Sequence, residues 1–116
     1  GTKDYVKENN AGVDLYPDAF TLSQNYPNPF NPQTSIMISL EDDAQVDLII
    51  YNLLGKEVTR LAINEHRSAG YYTFIWNGRN GMGDRVSTGV YFYHAMIRDA
   101  GGKIVMNKTK KMIFLK

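Results

Sequence analysis

The sequence predicts an all-β domain, an antiparallel β-sandwich of about seven strands. Three observations carry that expectation. Apolar and polar residues alternate with period two in successive segments, clusters of Gly, Asn, Asp and Pro separate those segments at short intervals, and helical periodicity is almost absent. Eight Tyr, five Phe and one Trp among 116 residues point the same way, because flat rings pack well on pleated faces.

Taken in order, residues 1–19 read as a linker or the end of a preceding domain, since Asn9, Asn10, Gly12 and Pro17 interrupt any pattern. Residues 20–116 read as the sandwich. Phe20-Thr21-Leu22 is a short alternating strand. In Asn25-Tyr26-Pro27-Asn28-Pro29-Phe30-Asn31-Pro32, the prolines fix their own φ and keep the preceding residues out of the helical region, so an extended, kinked crossover is expected. Tyr26 and Phe30 are expected to anchor it on the core.

Period-two patterning then begins. Ile36, Ile38 and Leu40 alternate with Met37 and Ser39, and Val46, Leu48 and Ile50 alternate with Asp47 and Ile49, with a turn at Glu41-Asp42-Asp43. Asn52-Leu53-Leu54-Gly55 leads into a strand from Glu57 to Ile63, a hairpin by spacing, with Gly55 suited to positive φ. Tyr72, Phe74 and Trp76 share one face of the next strand and are expected to dominate the core. Asn77 to Asp84 is dense in turn formers. Gly89 opens a long strand from Val90 to Asp99, and Ala100-Gly101-Gly102 reverses the chain into a final strand, Lys103 to Lys116. About seven strands at this spacing, with no disulfide available, make the immunoglobulin-like sandwich the natural architecture.

Composition narrows function. A net charge of +1 argues against nucleic-acid binding, although lysines gather between Lys103 and Lys116. The absence of cysteine excludes disulfides, thiolate metal sites and cysteine nucleophiles. No apolar run approaches the ~20 residues of a membrane helix, so no membrane-spanning segment is expected, and no signal peptide opens the sequence, which reads as the C-terminal piece of a longer exported protein. His66 and His94 stand in no metal-ligand spacing, and Ser, Asp and Glu form neither a nucleophile elbow nor a catalytic carboxylate pair. The expectation is therefore a protein that is not an enzyme and needs no cofactor.

Two segments remain as candidate sites. Asn77, Asn80 and Asp84 could offer oxygens to Ca²⁺, but a single carboxylate is too few for an EF-hand, and a plain glycine-rich turn explains the loop as well. The closing heptapeptide, Lys110, Lys111, Met112, Ile113, Phe114, Leu115 and Lys116, combines alternating apolar residues with lysines at the C-terminus. Those lysines can keep an edge strand from aggregating, or meet acidic groups on a receptor, and an exposed edge can also accept or donate a strand.

Five blocks carry a family resemblance. Leu22 to Pro32 resembles the N-P-F-N-P opening of the type A C-terminal sorting domain of the type IX secretion system of Bacteroidetes, and Val46 to Gly55, ending Tyr51-Asn52-Leu53-Leu54-Gly55, resembles its Y-N-x-L-G strand. Trp76-Asn77-Gly78-Arg79 resembles its W-D-G-R turn, with Asn77 replacing Asp and weakening any carry-over of metal binding. Gly89-Val90-Tyr91-Phe92-Tyr93 resembles G-V-Y-x-Y, and Lys110 to Lys116 resembles the K-K-M-x-x-x-K ending. The stretch from Ile97 to Lys108 is longer than the family hairpin. The chain is also similar to the immunoglobulin-like part of flagellar hook-capping proteins.

The resemblance implies a sorting signal without chemistry of its own, joined to an N-terminal cargo domain. A Sec signal on the parent would take it to the periplasm, where the outer-membrane translocon recognises this domain. A sortase-like peptidase then removes it, cutting before Phe20, and the cargo is anchored on the cell surface or released outside. Recognition would fall on Gly89, Val90 and Tyr91 and on Lys110 to Lys116. The alternatives are an accessory carbohydrate-binding module of a secreted enzyme, using exposed aromatics such as Tyr71 or Tyr5, and a structural module whose edge strand dimerises.

Overall fold

Alternating burial follows the alternating sequence. Ile36, Ile38 and Leu40 are fully buried while Met37 between them is exposed, and Val46, Leu48 and Ile50 point inward from the next strand. Each such side chain contributes about 1.5–3 kcal/mol when taken out of water. The computed structural model describes residues 16–115, so expectations placed on residues 1–15, Tyr5 among them, and on Lys116 lie outside the described residues.

Among the described residues seven strands follow in chain order: β1 (Thr21–Leu22), β2 (Thr34–Leu40), β3 (Ala44–Asn52), β4 (Glu57–Arg67), β5 (Gly70–Trp76), β6 (Gly89–Asp99) and β7 (Ile104–Phe114). They form two antiparallel sheets, β1-β2-β5 and β4-β3-β6-β7. The all-β immunoglobulin-like sandwich expected from the sequence is the fold. The Glu41-Asp42-Asp43 turn carries the chain from one sheet to the other, and Ser68-Ala69 carries it back. The Asp43 carboxylate accepts a hydrogen bond from the Ala69 N–H at 3.2 Å, tying the two crossings together.

The β3–β4 hairpin forms as expected, but β4 runs on to Arg67. Asn64 takes a positive φ of 49° and its N–H donates to the Asp47 carboxylate at 2.6 Å, making a bulge that shifts the register from Leu48↔Ala62 to Val46↔Glu65. Such a bulge breaks the period that would have extended the strand. A further register shift, between Ile97 and Arg98, sits beside the β6–β7 hairpin.

Two core expectations need correction. Tyr26 is 80% exposed. It pairs with Ser35, which alternates with the inward Ile36, so its ring shares the outer face of the sheet, and of the two expected rings that of Phe30 alone enters the core. Tyr72 and Phe74 are only partly buried, because β5 is an edge strand; there the Arg67 guanidinium lies 5.0 Å from the Tyr72 ring centre and 5.8 Å from that of Phe74. The large rings of the interior are Trp76, Tyr93, Phe30 and Phe114.

Candidate functional site

At the closing end of β7, neighbours distant in sequence converge on the strand. Phe30 N–H donates to the Ile113 carbonyl at 3.0 Å, and Leu115 N–H donates to the Phe30 carbonyl at 3.0 Å, so the proline segment forms a parallel bridge along the outer edge of β7. Ile113 N–H donates to the Asn28 side-chain oxygen at 3.0 Å, and the Gln24 amide donates to the Lys111 carbonyl at 2.8 Å. An edge that would present bare backbone groups is thereby closed from Lys111 to Leu115.

Beneath this edge lies an aromatic cluster. The Phe30 and Phe114 rings stack with centres 5.0 Å apart and planes at 14°, and Trp76 lies 5.6 Å from Phe30 and 6.2 Å from Phe114. Trp76 meets Tyr91 edge to face at 5.1 Å. The Trp76 indole N–H donates to the Arg79 carbonyl at 2.9 Å, and the Tyr91 hydroxyl donates to the Ser87 carbonyl at 2.6 Å, so the buried polar tips are satisfied. Gly78, at φ +72°, lies flat against Phe114: a Cβ there would stand 2.7 Å from the ring. Only glycine permits that approach.

The proline segment is held from below as well. Buried Asn25 donates from its backbone N–H to the Tyr93 hydroxyl at 2.9 Å and from its side chain to Thr34 Oγ1 at 3.0 Å, while the Tyr93 hydroxyl donates to the Ser23 carbonyl at 2.7 Å. Burial pushes the Tyr93 phenol up to about 12, against the opposing effect of the Asn25 N–H.

The residues expected to be recognised thus divide. Tyr91, Met112 and Phe114 are core residues, so their side chains hold the strand and leave nothing for a partner to touch. Val90 and Ile113 are paired across β6 and β7 and half-buried on the outer face, Gly89 opens β6 at φ +145°, and Lys111 and Leu115 are exposed. Lys110 is partly covered, and Lys116 lies outside the described residues. The structure brings Gly89, Val90 and Tyr91 beside Phe114, Ile113 and Met112 as cross-strand partners.

In the Asn77–Asp84 loop, the Asn80 side-chain oxygen accepts hydrogen bonds from the N–H groups of Met82 and Asp84, both at 3.0 Å. That oxygen closes the turn. Among the described residues no group of three or more His, Cys, Asp or Glu could hold a metal ion. His94 hydrogen-bonds the side chain of Asn107 across β6 and β7, and His66 lies exposed on β4.

The grip of Asn28, Gln24, Phe30 and Gly78 on β7 is the part of the site that sequence reasoning missed. Each lay within a quoted motif or beside one, but the signal that the motifs meet at one place is tertiary.

A sandwich of these strands, with a gripped closing strand, is an immunoglobulin-like domain by class. The chain belongs to the FlgD Ig-like domain family, whose model matches residues 28–96. No curated protein matches it. Among solved structures it is similar to dimeric latent PorU from Porphyromonas gingivalis, at 24% identity and TM-score 0.65, covering 89% of this chain and 10% of that one. It is also similar to FlgD from P. aeruginosa, at 17% identity and TM-score 0.57, covering 87% of this chain and 78% of that one. PorZ, a surface component of the type-IX secretion system of P. gingivalis, matches more loosely, at 20% identity and TM-score 0.47, over 85% of this chain and 12% of its own. The likenesses to PorU and FlgD speak to fold.

Proposed function

We propose that this domain is a C-terminal sorting signal of the type IX secretion system, which presents its closing strand to the outer-membrane translocon and does no chemistry itself. One observation carries the reading: four of the five sequence blocks that resemble sorting domains meet at the end of β7 through Phe30, Trp76, Gly78, Tyr91 and Phe114. A label must hold its recognition element in one shape whatever cargo precedes it, and this cluster does so from within the domain. The exposed groups of Lys111 and Leu115, with the partly covered Lys110, are the surface offered. The parent is carried through the periplasm to the cell surface, and a sortase-like peptidase cuts before Phe20.

The test is a reporter bearing a Sec signal and this chain at its C-terminus, expressed in a bacterium with a type IX system. The intact chain should reach the surface, and deletion of Lys110 to Lys116 should leave the reporter in the periplasm. That deletion also removes core residues, so the charge-reversed K110E/K111E chain serves as the folded comparison. Surface delivery of both variants at the intact level would overturn the reading.

A second reading has an observation of its own. Strands β1, β2 and β5 contain no charged residue, and their outer face exposes Tyr26, Met37, Tyr71 and Ile75. Exposed tyrosines on an uncharged face suit stacking against neutral sugars, as in an accessory carbohydrate-binding module. Retardation in gels containing soluble glycans, lost in Y71A, would favour it.

A further inference from the structure

The closure of β7 stops partway. Hydrogen bonds at Lys111, Ile113 and Leu115 all leave the strand on the side away from β6, so the odd-numbered residues turn their backbone groups outward and the even-numbered ones pair with β6. The unbroken register from Met106 to Phe114 extends this alternation to Asn107 and Thr109. Among the described residues nothing accepts from or donates to the outward backbone groups of those two, or the N–H of Lys111. This stretch is an open edge about five residues long.

Its charge is one-sided. The strand Ile104–Phe114 contains Lys108, Lys110 and Lys111 and no acid, and Lys103 precedes it. Lys108 has the inward register of Met106 and Met112 yet is exposed, because β7 is the outer strand of a four-stranded sheet facing one of three. Lys108 and Lys110 therefore flank the edge on one face and Lys111 on the other. Arg98 on the neighbouring strand is already held by Asp47 at 3.6 Å, so that acid is not available to the lysines.

We infer that β7 from Asn107 to Lys111 is a docking edge for an extended acidic segment of a partner protein, which joins the sheet as an added strand. The backbone groups supply the pairing and the lysines select the charge. A second copy of this chain fits poorly: an antiparallel pairing centred on Thr109 would set Lys108 against Lys110, and like charges directly opposite repel. The inference deepens the sorting reading by naming a mode of recognition, but it can fail alone.

The probe is a nine-residue peptide alternating glutamate and valine, titrated into the isotope-labelled 116-residue chain, with a lysine–valine peptide as control. Saturable shifts are expected at the amides of Asn107, Thr109 and Lys111 with the acidic peptide and not with the basic one, weakening as salt is raised. T109P removes an N–H that bonds nothing within the domain, so it should melt near the parent temperature while binding falls at least tenfold. K108E/K110E should weaken binding by a similar factor. Shifts absent or elsewhere, equal response to both peptides, unchanged affinity in T109P, or protection of these amides by self-association would each overturn the inference. If T109P cargo is delivered normally while the Lys110–Lys116 deletion is retained, the added strand is wrong and the sorting reading stands.

Discussion

The two halves of β7 belong to one strand and one ladder, yet they are treated differently by the rest of the chain. From Lys111 to Leu115 the outer edge is covered by Gln24, Asn28 and Phe30, and the inner face sinks into a cluster of four rings. From Asn107 to Thr109 the same edge is bare and flanked by lysines. The difference teaches that the motif residues of the proline segment and of the tryptophan turn serve first to fix the closing end of β7. In the proposed reading, recognition is left to the groups that this fixing exposes.

The comparison can be broken most severely at Trp76. Replacement by Ala removes the ring that meets Phe30, Tyr91 and Phe114, and should cost about 3–5 kcal/mol in urea unfolding. Next comes Gly78→Ala, which sets a Cβ 2.7 Å from the Phe114 ring at a φ of +72°. Left-handed strain of about 1–2 kcal/mol adds to the displacement of the ring, so the loss should exceed that of an ordinary turn glycine such as Gly83, which has open space about it.

A smaller effect should follow from Asn28→Ala. It removes the side-chain partner of the Ile113 N–H, at about 0.5–1.5 kcal/mol, and should quicken amide exchange at Ile113 while leaving Asn107 unchanged. Smaller still, Lys108→Ala should shift stability by no more than about 0.5 kcal/mol, since nothing in the fold depends on that exposed side chain.

Alkaline pH sharpens the same contrast. The Tyr93 phenol is raised from 10.0 to about 12 because burial disfavours its anion. In the unfolded chain it loses its proton near its ordinary value while the folded chain keeps it, so its contribution is complete below pH 10 and is lost as pH climbs toward about 12. Unfolding curves of the parent and of Tyr93→Phe should therefore differ in slope across that window, the parent falling more steeply.

Much of this was legible in the sequence. Period two placed the core residues of β2 and β3 correctly, and the glycine and asparagine clusters placed the hairpins. What failed did so for tertiary reasons. The Asn64 bulge carried β4 past the expected end at Ile63, because Asp47 on the facing strand captures its N–H. Tyr26 faced out because its pairing with Ser35 gave it the outer register, which spacing within the proline run could not reveal. Tyr72 and Phe74 looked like core from alternation alone, but alternation does not say whether a strand lies at an edge. The closing heptapeptide was recognisable as a strand with lysines; that it is sheathed from Lys111 onward while the stretch of β7 before it is open depends on where Asn28 and Phe30 arrive from more than eighty residues away.

Amide hydrogen exchange along β7 tests the central claim most directly, residue by residue on the intact chain. The account predicts that Ile113 and Leu115 exchange slowly, close to the rate set by global unfolding, while Asn107 and Thr109 exchange faster by orders of magnitude. Equal protection at all four, or faster exchange at Ile113 and Leu115 than at Asn107 and Thr109, would contradict it.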